Sequence, residues 1–217
     1  SHSLDELRHF VGGEPGQSVL VAGSTHDPEE GLVAKAFRQA DPGARMILVP
    51  RHPERGRAVL SDLAALGLGA QLLTELRAGR EVLDKTQALI VDTIGELEGI
   101  YSLADVVFVG GSLVPHGGQN MLEPAAVGKA VVHGPSVENF VQEARLLQSA
   151  GASVLVKAPA ELGPAIAELL TDPARRSAMG GRAREAILGQ RGATAATLAA
   201  LGALLPKAGS GEALEGG

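Results

Sequence analysis

The sequence predicts an α/β domain, a Rossmann-like parallel sheet flanked by helices. Three observations carry that prediction. Short apolar runs rich in Val, Ile, Leu and Ala alternate with longer segments of helical periodicity. Nearly every run is followed at once by a cluster of Gly, Ser, Thr, His, Arg or Asp. The 217 residues are 45% hydrophobic but only 2% aromatic, so a sizeable core is expected, built from aliphatic side chains.

Composition also narrows function. There is no Cys, which excludes disulfides and thiolate metal sites. A net charge of −6 argues against a nucleic-acid surface. No run of eighteen apolar residues is present, so no membrane-spanning helix is expected.

The elements follow in order. Leu4 to Val11 is a short helix or an incoming linker, and Gly12 to Gly16 a turn. Ser18 to Ala22 is the first strand. It leads into Gly23, Ser24, Thr25 and His26, at the carboxyl end of a strand, where open α/β sheets bind ligands. The stretch is not a dinucleotide fingerprint, which needs three spaced glycines. Pro28 starts a helix to about Ala40, with Leu32, Val33, Ala36 and Phe37 on one face. Ala44 to Val49 is the second strand. Arg51, His52 and Arg55 follow it and mark an anion site, since an arginine there can grip phosphate with two bonds. The alternative is a solvated start to the helix that runs to Leu66.

Gly69 to Leu73 is a third strand, and Arg77 to Lys85 a polar surface loop. Ala88 to Val91 is the fourth. Asp92 or Thr93 is expected to cap a helix from about Glu96 to Ala104. Gly95 would let a flat base lie against the backbone; the alternative is a plain turn. Val106 to Val109 is a buried strand, followed by Gly110, Gly111, Ser112, Gly117, Gly118, Gln119 and Asn120. Leu122 to Val127 is a short helix and Ala130 to His133 the next strand. Glycine-lined N–H groups and a helix start suit a phosphate or carboxylate, and Glu123 in the first turn could accept bonds from sugar hydroxyls. The alternative is a tight loop with Asn120 as a cap. A helix reaches Ala150, and Val154 to Val156 is the last strand. Ala160 to Leu170 is amphipathic. From Asp172 a helix carries Arg175, Arg176, Arg182 and Arg184, read as a solvated face or, alternatively, as a contact with a further domain or a charged membrane. Thr194 to Leu205 closes the domain, taken as residues 4–205, and 206–217 is expected to be a disordered tail.

The polar clusters all follow strands, so in a parallel sheet they converge on one edge. That points to a nucleotide or sugar-nucleotide pocket.

A set of motifs sharpens this. Ala22-Gly-Ser-Thr-His26, Val49-Pro-Arg-His-Pro-Glu-Arg55, Asp92-Thr-Ile-Gly-Glu-Leu97, Phe108-Val-Gly-Gly-Ser112, Gly117-Gly-Gln-Asn120, Leu122-Glu-Pro124, and Gly134-Pro135 with Asn139-Phe140 together resemble the 3-deoxy-D-manno-octulosonic acid (Kdo) transferases of lipopolysaccharide synthesis. The resemblance covers about residues 18 to 157. It implies one half of a GT-B fold, the carboxyl half that binds the donor CMP-Kdo. It implies Arg51 near the donor's phosphate or cytidine, Gly95, Glu96 and Leu97 near the cytosine, Gly110 to Ser112 and Gly117 to Asn120 at the phosphate and sugar, and Glu123 on the ribose. Ser24, Thr25, His26 and His52 join the same substrate edge. Gln119 departs from the family's usual His, and an amide cannot carry a proton. The resemblance also implies a lipid A precursor as acceptor, an amino-terminal domain carrying the catalytic base, and a complete protein at the cytoplasmic face of the bacterial inner membrane. No cofactor is expected, and no metal, since no Asp-x-Asp pair is present. His26, His116 and Glu123 are the candidate bases on this chain, each better suited to binding, so the chain alone is expected not to turn over. A UDP-sugar enzyme of the same fold, transferase or epimerase, and a cytidine-nucleotide-binding module without turnover are the alternatives.

Overall fold

The computed structural model describes residues 2–11, 16–79 and 87–204. Seven strands form one parallel sheet: β1 (Val19–Thr25), β2 (Arg45–Pro50), β3 (Ala70–Leu72), β4 (Ala88–Ile90), β5 (Val106–Val109), β6 (Ala130–His133) and β7 (Ser153–Leu155). Their order across the sheet is β3-β4-β2-β1-β5-β6-β7. The chain winds outward from β1 in one direction, then returns to place β5 on its other side. The strand order therefore reverses between β1 and β5, the switch point where ligands of such sheets sit.

The strands are apolar on both faces because both are covered. Every residue of β2, β5 and β6 is buried. Alternation along each strand sends neighbours to opposite sides. Val21, Ile47, Leu89, Val107 and Val131 pack on one side against α1 (His2–Val11), α4 (Leu73–Arg77), α5 (Leu97–Leu103), α6 (Leu122–Ala126) and α7 (Val141–Ser149). Leu20, Leu48, Ile90, Phe108 and Val132 pack on the other side against α2 (Glu29–Ala40), α3 (Gly56–Ala65) and α8 (Pro159–Thr171). The last helix, α9 (Pro173–Leu204), sends Met179 to the second core and Ala183 and Ile187 to the first.

Four local expectations change. Residues 73–77 are helical, and Arg77 is no loop residue. Its guanidinium donates to Glu6 at 2.7 and 3.1 Å and to Glu96 at 2.8 Å, tying α4 to α1 and to the start of α5. The rest of the expected loop, 80–86, lies outside the described residues. Asp92 does not cap α5; it accepts from the N–H of Thr74 at 3.0 Å and its hydroxyl at 2.5 Å, capping α4 from the end of β4. Nor does Thr93 cap α5, which has no side-chain cap bond.

The fourth change concerns the arginines of α9, where a single helix replaces the two expected. Arg176 donates to the carbonyls of Leu169 and Leu170 at 2.7 and 2.8 Å, at the end of α8. Arg182 donates to Gly151 at 2.6 and 3.1 Å, just past α7. Arg184 donates to Val127 at 2.9 Å, the residue that closes α6. The last carbonyls of a helix lack intrahelical donors and carry partial negative charge, so a guanidinium fork fits them. Arg175 pairs instead with Glu168. Arg176, Arg182 and Arg184 fasten α9 to the domain, so the face is more than a solvated one. The expected tail, 206–217, and Leu205 lie outside the described residues. No helix among the described residues is long and apolar enough to cross a membrane.

Candidate functional site

The carboxyl ends of β1, β2, β4 and β5 open on one edge. Ser24 sits there in the left-handed region, φ 55°, where the register of β1 against β2 slips by one residue. This bulge turns Ser24 outward and Thr25 inward. A cleft of about 350 Å³ lies beside it, with Ser24, Arg51 and His52 on one wall and Gly95, Glu96 and Leu97 on the other. A second cleft of about 500 Å³ shares Gly95 and Leu97 and carries Glu123. The 95–97 turn thus borders both, with Arg51 to one side and Glu123 to the other. Arg51 is exposed, and its side chain makes no ion pair among the described residues. Its backbone N–H donates to the carbonyl of Thr25 at 2.9 Å, which places it at the β1 edge. Glu96 is held by Arg77, so its carboxylate is committed to the fold.

Glu29, not singled out from the sequence, organises the other half of the site. It opens α2, is fully buried, and accepts four backbone N–H bonds: from His26 at 3.0 Å, Gly111 at 2.6 Å, Ser112 at 3.0 Å and Leu113 at 2.9 Å. Burial pushes its pKa up, and those four bonds pull against the rise. The N–H groups of Gly111 and Ser112 were expected to meet the ligand; they are already filled by the chain's own carboxylate. The sequence signal is the acidic pair Glu29-Glu30 in a first helical turn, but such a pair usually faces solvent.

Two expected ligand hydroxyls are also committed. Thr25 is buried and donates to Glu30 at 3.1 Å, which also takes Arg55 at 2.9 Å. Ser112 is buried, donates to the Val109 carbonyl at 2.5 Å and accepts from Gly134 N–H at 2.8 Å. Neither residue lines either of these two clefts. The loop glycines have local reasons as well. A Cβ on Gly110 would lie 2.5 Å from Thr25 Cα, so β1 and β5 could not close. Gly117 and Gly118 have φ of +79° and +78°, which other residues rarely adopt. Glycine richness here follows from chain crossings, and does not by itself report a ligand. Asn120 accepts from Leu122 N–H at the start of α6 and donates to Glu123, both at 3.1 Å, steadying Glu123, whose carboxylate stays exposed.

The histidines gather. His26 stacks on His116 with centroids 4.2 Å apart and planes 15° apart; His52 meets it edge-on at 5.9 Å. Gln119 Nε2 lies 3.2 Å from His26 Nε2. Burial, then the nearby His116, His52, Arg51 and Arg55, lower the His26 pKa to about 4, so it is neutral at pH 7. Thr93 adds a hydroxyl that is buried without a hydrogen-bond partner at the first cleft's wall, beside Ile94, which is 89% exposed. Among the described residues no group of three or more His, Cys, Asp or Glu is placed to hold a metal ion.

No family model matches the chain. Individual relatives do. A 3-deoxy-D-manno-octulosonic acid transferase of Bordetella pertussis is 36% identical over 199 residues, covering 89% of this chain and 46% of the relative. One from Haemophilus influenzae is 34% identical over 196 residues, covering 88% and 44%. Among solved structures, the C-terminal CMP-Kdo binding domain of WaaA from Acinetobacter baumannii superposes with TM-score 0.75 at 27% identity, covering 86% of this chain and 98% of that one. The chain belongs to the Kdo transferase family. It spans about half the length of the curated relatives it matches. This Kdo transferase domain shares its fold more widely, as with Anabaena HepE in complex with UDP and glucose, at TM-score 0.59 and 19% identity. The sheet order and the two-sided helix layers make it a Rossmann-like half of the GT-B type.

Proposed function

We propose that this domain is the donor half of a glycosyltransferase that moves Kdo from CMP-Kdo to a lipid A precursor, without a metal ion. One observation carries the reading: an arginine without an ion-pair partner among the described residues and an exposed carboxylate stand on either side of the Gly95–Leu97 turn, beside the switch point of the sheet. The turn offers open backbone to a cytosine, Glu123 accepts from ribose hydroxyls, and Arg51 meets the phosphate. The printed description of the Acinetobacter domain, CMP-Kdo binding, supports the same donor.

In the reaction, the bond between the anomeric carbon of Kdo and the phosphate oxygen breaks. A bond to the acceptor hydroxyl oxygen forms, and the hydroxyl proton passes to a base. Charge gathers on the departing CMP phosphate, and a positioned guanidinium stabilises it there. Arg51 is the group on this chain suited to that task. Glu123, engaged with Asn120 and the ribose, is not the base; an amino-terminal domain supplies it, together with the acceptor site. A lipid acceptor places the complete protein at the cytoplasmic face of the inner membrane.

Calorimetric titration of the domain with CMP and with UMP, each with and without EDTA, tests the reading. CMP is expected to bind more tightly than UMP and to be indifferent to EDTA. Equal or tighter UMP binding would overturn the donor, and loss of binding in EDTA would overturn the metal-free site.

A further inference from the structure

Three histidines and two arginines converge beside the switch point, more positive capacity than Arg51 alone provides. His26 lies at their centre. From the loop after β5, His116 stacks on it. From the segment after β2 come His52 edge-on, with Arg51 and Arg55. From α2 comes Glu29, which accepts the His26 backbone N–H. The acids nearby are spent elsewhere. Glu29 holds four N–H groups. Glu30 and Asp27 face Arg55 at 2.9 and 3.8 Å. Glu54 faces His52 at 3.6 Å. Among the described residues no carboxylate is left to answer the ring of His26, and none answers Arg51.

We propose that the His26–His116 pair is an oxyanion subsite, at which His26 takes up one proton as the anion binds. The subsite deepens the donor reading and rests on it only for the anion's identity, which is the phosphate or the carboxylate of a nucleotide-activated sugar acid. The geometry fits such uptake. Positive charge stacked 4.2 Å away opposes a proton on His26, and an anion beside both rings removes that opposition. Burial first, then repulsion from His116, His52, Arg51 and Arg55, keeps His26 neutral; an anion set among these groups offsets the repulsion and adds an attraction of its own. Gln119 suits both states. It can donate to a neutral ring nitrogen and, after a half-turn of its amide, accept from a protonated one.

The test is a pH titration of the histidine Cε1–H signals by NMR on the chain of residues 1–217. Sodium sulfate is compared with sodium chloride at matched ionic strength, sulfate being an oxyanion that does not itself titrate in this range. The His26 midpoint is expected to rise from about 4 in chloride by roughly 1 to 3 pH units in sulfate. His26→Asn assigns the signal. Two further arms identify the natural anion: cytidine 5′-methyl phosphate, a diester that stays singly charged, and free Kdo, which offers the carboxylate. Whichever reproduces the rise is the group bound. A midpoint unchanged by sulfate and by both ligands would overturn the subsite. A rise with sulfate but with neither ligand would keep the subsite and overturn the donor reading.

Discussion

Replacing Arg51 with Ala separates a phosphate-binding arginine from a solvated one. The side chain is exposed and makes no ion pair among the described residues, so truncation breaks no salt bridge within them. Stability should change by no more than about 0.5 kcal/mol. Ligand affinity should not be spared. Unit charges 4 Å apart near a protein surface interact by about 4 kcal/mol before screening. Exposure and salt reduce that, so a single charge-assisted bond of about 1.5–3 kcal/mol is the better measure. CMP affinity should therefore fall roughly 10- to 150-fold. Cytidine, which lacks the phosphate, should lose less than about 2-fold, since only that charge is missing. Arg51→Lys should recover part of the loss, because an ammonium lacks the planar fork. The assay is isothermal calorimetry with both ligands at low and high salt, with the gap between them shrinking as salt rises. Equal losses for CMP and cytidine would refute the argument and place Arg51 away from the phosphate.

Other residues give further outcomes. Glu123→Ala should weaken CMP by about 1.5–3 kcal/mol, as for a charged hydrogen bond, while a 2′,3′-dideoxy analogue is little affected. An equal loss on both ligands would remove Glu123 from the ribose. Glu29→Ala strands four N–H groups, two of them buried, and should cost on the order of 3 kcal/mol in urea unfolding, far above a surface change. A stability within error of the parent would show that the loop does not depend on it. His133 is buried, with Nδ1–H donating to Gly134 at 2.8 Å, and burial holds its pKa down. The folded domain then binds fewer protons than the unfolded chain below pH of about 6.5, so stability is steady above that pH and falls as pH drops through it. His26, also depressed, adds to the same slope. Urea midpoints measured from pH 7.5 down to 5 should show the decline, and His133→Asn should flatten part of it. A flat parent profile would contradict both assignments.

Much of the fold was legible in the chain itself. Val106–Val109 and Ala130–His133 were placed to the residue, because a buried parallel strand is a short apolar run with sharp polar ends. Arg51 and Glu123 stand where the local pattern puts them, one past the end of a strand and one in the first turn of a helix, and each lines a cleft. Other readings failed where the partner lay far off in sequence. The acceptors of Arg176, Arg182 and Arg184 are backbone carbonyls at or just past the ends of other helices, which no pattern within α9 can show. Asp92 was assigned to the helix that follows it, whereas it caps one that precedes it by 18 residues.

What the sequence determined alone was the alternation of strands and helices, the edge on which the polar clusters meet, and the motifs that mark the family. These are local properties: periodicity, turn chemistry and residue order. What only the tertiary structure decided was how each polar group at that edge is spent. Glu29 reaches 82 to 84 positions along the chain to fill the Gly111–Leu113 amides, and Thr25 and Ser112 turn inward. Arg51 is left facing the cleft, and His26, His52 and His116 come together from three separate loops. The physical reason is that a buried hydrogen-bonding group must find a partner wherever folding brings one, and that choice depends on the packing of the whole sheet.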